Sequence, residues 1–240
     1  MEPYLIAGLI IVAIGGVVLV AVIAERKAEK KRTEQLSQLA AEMGFSFEAS
    51  GDALLAEGLG RLPLFNRGHS RKTKNVLRKL VRGTEVILLD HQYTIGHGKN
   101  QHTHKQTLVV FHPSDGDAFP DFEMRPESFF HRIGALFGYQ DINFESHSRF
   151  SKSYLLRGND ESAIRATFTP AVLEFFELQP EKWSVEAHAA WLVVVRGNAQ
   201  RSFRISGPRR VNPTAIAPLL ADATKVYLLF APPMAAEGTA

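Results

Sequence analysis

The sequence predicts an α+β protein, in which an N-terminal transmembrane helix is followed by a cytoplasmic domain of antiparallel sheets with packed helices. Three observations lead there. Tyr4 to Ala24 is an uncharged run of 21 residues, and the charged string Glu25 to Arg32 follows it directly. Thr84 to Ile95 and His102 to His112 are rich in β-branched and aromatic residues and flank the turn-forming Gly96 to Gln101, the pattern of a hairpin. Helical segments opened by Asn-Pro, Thr-Pro or Asn-Asp steps follow strands without regular βαβ alternation, and the order of elements hints at two similar halves.

The first element is an anchor. A helix needs about 20 apolar residues to cross a bilayer core of about 30 Å. Leu5, Ile6, Leu9, Ile10, Val12, Ile14, Val17, Leu19, Val20 and Ile23 cover every helical face, as lipid contact requires. A secretory signal would place its basic residues before the apolar run, whereas Met1-Glu2-Pro3 has none. The Lys and Arg residues all lie on the C-terminal flank, so the positive-inside rule predicts a single pass with the N-terminus out and the domain in the cytoplasm. The expected organisation is anchor and basic segment at 1–33, domain at 34–230 with a sub-boundary near 113–122, and a mobile tail at 231–240.

The helix is predicted to continue to Met43 and stop at Gly44. Leu36, Leu39, Ala40 and Met43 recur at helical spacing, so this extension can dock on the domain or pair with another copy. Phe45 to Phe47 reads as a short strand before a turn at Ser50-Gly51-Asp52. In the hairpin, pairing Ile95 with His102 sets Tyr93 opposite His104, His91 opposite Gln106, Leu89 opposite Leu108 and Ile87 opposite Val110. Val86, Leu88, Val109 and Phe111 fall on the reverse side, which makes these strands a central pair buried on both faces. Phe122 to Met124 is a short strand, and a helix from Pro126 ends near Phe137. Strands follow at Asp141 to Phe144 and Ser153 to Leu156. Asn159 or Asp160 caps a helix through Phe168, Thr169-Pro170 opens another to Leu178, and Asn212-Pro213 opens the last, to Phe230. Trp183 to His188 and Ala190 to Arg196 form a second hairpin around Ala189.

The chain has no cysteine, which excludes disulfides and thiolate metal sites. Its net charge is only +3, but the positive residues cluster. Arg26, Lys27, Lys30, Lys31 and Arg32 follow the anchor, and Arg67, Arg71, Lys72, Lys74, Arg78, Lys79 and Arg82 crowd a second window. Both groups are candidates for the membrane surface, where anionic lipid attracts each cation by about 1 kcal/mol. The second window reads equally well as a solvated loop or helix face. Nucleic acid is disfavoured, because the window lacks interleaved aromatics.

Three features resemble chemistry and have plainer explanations. Gly96-His97-Gly98-Lys99 has the wrong spacing for a phosphate loop and sits between strands. His91, His102 and His104 could approach one another on one face of the hairpin, with His97 in the turn. However, the one nearby carboxylate, Asp90, points to the opposite face, so exposed histidines are preferred over zinc. Asp141, Glu145, Asp160 and Glu161 lack a nucleophile, and the last two suit a helix N-terminus. No catalytic residue, cofactor or metal ligand is assigned.

The run Leu62-Pro63-Leu64-Phe65-Asn66-Arg67-Gly68, the string Tyr93 to Lys99 ahead of Gln106 to Val110, and Phe150-Ser151 with Tyr154-Leu155-Leu156 before Phe168-Thr169-Pro170 resemble an uncharacterised family of bacterial membrane-anchored proteins with a cytoplasmic domain of unknown function. The resemblance spans most of residues 34–195. It implies the bacterial inner membrane and a shared fold, and it supplies no activity. Two functions are therefore expected. The first is a membrane-anchored binding or scaffold module engaging anionic lipid headgroups, a membrane-protein partner or a second copy. The alternative is a membrane-bound hydrolase whose site is assembled from scattered polar residues, for instance around His91 and Tyr93.

Overall fold

The computed structural model describes residues 3–114, 119–127, 141–197 and 209–231, with side chains of 3–11 and 14 outside that description. The expected helix from Pro126 to Phe137 and the expected tail after Ala231 lie largely or wholly outside the described residues. Helix α1 runs unbroken over Pro3–Met43 and ends at Gly44, whose φ of 70° stops it. Among the described residues no helix is long and apolar enough to cross a membrane. The side chains of the apolar run are described only from Val12, and those there, including Val17, Leu19, Val20 and Ile23, are exposed.

Among the described residues the domain is built on one antiparallel sheet of eight strands. In chain order these are β1 (Ser46–Ser50), β2 (His69–Val81), β3 (Thr84–Ile95), β4 (His102–Pro113), β5 (Phe119–Pro126), β6 (Tyr154–Gly158), β7 (Trp183–Ala189) and β8 (Trp191–Arg196). The spatial order is β1-β2-β3-β4-β8-β7-β5-β6. The β3–β4 hairpin has the predicted register, with Ile95 opposite His102, Tyr93 opposite His104 and Ile87 opposite Val110. It is central and buried on both sides, as its two-faced apolar pattern requires. The second hairpin turns at Ala189, which takes a left-handed φ of 50°.

One face of the sheet carries the larger core. Leu77, Leu88, Val109, Phe111, Met124, Leu156, Val185, Leu192 and Val194 pack there beneath the helices. Those helices are the extension of α1, the short α3 (Ser148–Ser151), α4 (Glu161–Thr167), α5 (Pro170–Leu178) and α6 (Ile216–Phe230). Leu36 and Ala40 of α1 are fully buried, and Leu39 and Met43 flank them, so the amphipathic extension docks on its own domain. Asp160 caps α4 by accepting from Ala163 N at 3.0 Å, and Asn212 caps the turn before α6 by accepting from Thr214 N at 3.1 Å. The other face is covered by α2 (Asp52–Ala56) and by single turns at Leu59–Arg61 and Pro63–Asn66.

Two expectations differ from what is observed. The basic window is neither loop nor helix face but lies almost wholly in β2. Its alternation is broken by a bulge at Asn75, which has a φ of 53°, and its buried positions include the polar Thr73 and Asn75. Asp141 to Phe144 is not a strand. Ile142 makes a single ladder-like bond to Leu156 O, and Asp141 Oδ1 caps Leu156 N at 3.0 Å before the chain turns into α3.

Candidate functional site

The strongest feature on the helical face is a charged lock between α1 and the sheet. Alternation points Asp90 toward α1, and its side chain is fully buried. Arg32 donates from Nε to Asp90 Oδ2 at 2.6 Å and from Nη2 to Oδ1 at 2.8 Å. Asn75 Nδ2 and Thr107 Oγ1 complete the carboxylate's shell, each at 3.0 Å. Arg32 Nη1 also donates to Val211 O, and Thr33 Oγ1 donates to Asn75 Oδ1. Nearer the N-terminus, Glu29 accepts from Lys74 and Arg210, and Lys105 bridges Glu25 and Glu29. Burial alone would raise Glu29, but those donors hold its carboxyl down at about 2. At the far end Lys79 Nζ donates to Met43 O at 2.8 Å.

The opposite face holds a second buried network. Glu123 on β5 and Glu186 on β7 are register neighbours and share Arg67, while Arg125 contacts both carboxylates. Arg157 donates to Glu123 Oε2 at 3.0 Å, and Leu64 N donates to Glu186 Oε2 at 2.8 Å. Arg67 also reaches the Tyr93 hydroxyl, whose proton is held more tightly by burial. Next along the face, His91 Nδ1 bonds Thr73 Oγ1 at 2.9 Å, Phe65 sets its edge on the His91 ring, and Tyr93 stacks on His104 at 5.1 Å. Burial first, then Arg67 and Arg71, push His91 down to about 4, so it is neutral at physiological pH. The network straps the Leu62–Gly68 segment across the sheet.

A cleft of about 420 Å³ opens beside that network. Arg61, Pro63, Asp121, Arg157, Asn159 and His188 are among the residues that line it. His188 Nδ1 lies 3.0 Å from Asp121 Oδ2 at its edge. Such a pair can orient and polarise a water, but among the described residues no Ser, Thr, Cys, Lys or Tyr lines the cleft to act as nucleophile. Glu123 is engaged by arginines.

The predicted site residues separate into three groups. Arg26, Lys27, Lys30 and Lys31 are exposed on α1. Arg71, Lys72 and Arg82 are exposed at the two ends of β2. Arg32, Arg67, Lys74, Arg78 and Lys79 face inward to partners, Arg78 bridging Glu57 and Glu85. Both buried carboxylate centres were missed, although an Asp directly after the apolar run Val86 to Leu89 was a legible sign. The histidines divide as well, with His91 enclosed, His104 half-buried, and His97 and His102 exposed. Among the described residues no group of three or more potential ligands could hold a metal.

No protein-family model matches the chain, and no curated protein does. Among solved structures it is similar to the mycobacterial trehalose monomycolate transport factor A, TtfA, with a TM-score of 0.52 and 11% identity over 85% of this chain and 98% of that one. That likeness establishes a shared fold, and it is compatible with an uncharacterised bacterial family.

Proposed function

We propose that this chain is a membrane-tethered binding or scaffold module, whose rigid domain is held at the cytoplasmic side of a bacterial inner membrane for a membrane-associated partner. The observation that carries the reading is the lock between Arg32 and Asp90. It fixes the sheet to a helix whose apolar side chains Val12, Val17 to Val20, Val22 and Ile23 are exposed among the described residues. An apolar surface of that kind is stable against lipid or another chain and costly in water. The basic flank orients the helix with the domain inside. The fold neighbour bears the name of a transport factor, which favours an accessory role in transport at a membrane.

The test uses the full chain. Membranes washed with alkaline carbonate should retain it, and a variant starting at residue 25 should be released; release of the full chain would sink the tether. Because the chain lacks cysteine, Ser37→Cys gives a unique label, expected to react with an impermeant maleimide only after the membrane is opened. The second reading, a hydrolase, rests on the His188–Asp121 pair at the cleft. Activity on an ester or phosphoester panel that disappears in His188→Ala would favour it.

A further inference from the structure

The stalk and the sheet run side by side in a fixed register, and this determines which end of the domain meets the bilayer. Glu25 lies at the level of Lys105, Thr33 at Asn75, and Met43 at Lys79, so α1 and β2 point the same way. β4 extends back from Lys105 to His102, ~10 Å at ~3.3 Å per residue, and ~10 Å of helix is six or seven residues at ~1.5 Å each. Lys105 reaches both Glu25 and Glu29, so its level falls between them and the β3–β4 turn comes level with about the last turn of the uncharged run. The Arg82 end of β2 is turned the opposite way.

The near end carries cations and no acid. Arg71, Lys72 and Lys99 are exposed there beside the imidazoles of His97 and His102, and neither 67–72 nor 94–105 contains an Asp or Glu. The acids closest to it along α1, Glu25 and Glu29, are taken up by Lys105, Lys74 and Arg210. The tip is also braced, with His69 stacked on His97 at 5.2 Å and its Nε2 bonded to Gly96 O at 3.0 Å. The far end is different, because Arg78 is neutralised by Glu57 and Glu85.

We propose that the β3–β4 turn and the start of β2 form a docking surface for anionic phospholipid headgroups of the bilayer that holds the helix, with Arg71, Lys72 and Lys99 as the main contacts. This rests on the tethered reading above. It also divides the basic window, giving Arg71 and Lys72 to the membrane and leaving Arg78, Lys79 and Arg82 out of reach of it.

The experiment compares two single-cysteine variants of the full chain, Asn100→Cys at the tip and Val81→Cys at the far end, each carrying an environment-sensitive fluorophore in vesicles. With phosphatidylglycerol present, the Asn100 probe should be shielded from acrylamide and the Val81 probe should not. The shielding should be lost in pure phosphatidylcholine, in high salt, and in an Arg71→Glu, Lys72→Glu, Lys99→Glu background. Equal quenching of the two probes in chain that survives a carbonate wash overturns the tip assignment alone. Chain that does not survive the wash overturns the tether and this surface with it.

Discussion

Arg32 on the helix and Asp90 on the central strand form a two-pronged ion pair, at 2.6 and 2.8 Å, across 58 residues of sequence. The carboxylate is fully enclosed and accepts from four donors, so its charge is compensated where water cannot reach.

Removing one side of that pair leaves a buried charge alone. Asp90→Ala should lower the unfolding free energy by about 3–5 kcal/mol, measured by denaturant titration of the detergent-solubilised chain. Pairing Arg32→Met with Asp90→Leu should cost clearly less than the two single changes summed, as a double-mutant cycle would reveal.

Glu186 holds the strap over the opposite face. Glu186→Gln keeps the size but removes the charge facing Arg67 and Arg125, and should destabilise by about 2–4 kcal/mol. Faster amide exchange at Leu64, whose N–H it accepts, should accompany the loss, and unchanged exchange would argue against the strap.

Gly68 lets the strap turn. Its φ is +56°, and a Cβ there would fall 2.0 Å from Thr94 O. Gly68→Ala should cost about 1–2 kcal/mol from the left-handed backbone alone, with the clash adding to it, seen as a lowered Tm.

Acid acts through His91. Its folded pKa of about 4 lies below the ordinary 6.5, so the unfolded chain takes up the proton first. Stability should be complete above pH 6.5 and fall by on the order of 3 kcal/mol as pH drops toward 4. Glu29 adds a second loss at lower pH, from 4.5 toward 2, as its carboxylate is protonated away from Lys74 and Arg210. In His91→Gln the first phase should vanish and the second remain, readable in unfolding midpoints across that range.

How much of this was legible depends on where the pattern is local. The β3–β4 register followed from alternation, and the caps at Asp160 and Asn212 from residues adjacent to their helices. β2 was hidden because a bulge shifts its phase at Asn75 and because Thr73 and Asn75 fill inward positions that an apolar count passes over. The charged centres were out of reach for a different reason. Arg67 meets Glu123 and Glu186 across 56 and 119 residues, and no spacing rule links partners so distant. Reading Arg67 and Arg32 as surface cations was natural from composition, since cations are rarely enclosed unless a carboxylate waits inside.

Helix α1 passes from its apolar segment into the domain without a break, and ion pairs and hydrogen bonds clamp it along the sheet from Glu25 to Met43. The molecule consequently has no swivel at its neck. A change in the tilt of the leading segment therefore has one continuous helix of ~60 Å, at ~1.5 Å per residue, as its path to the strands that α1 lies against.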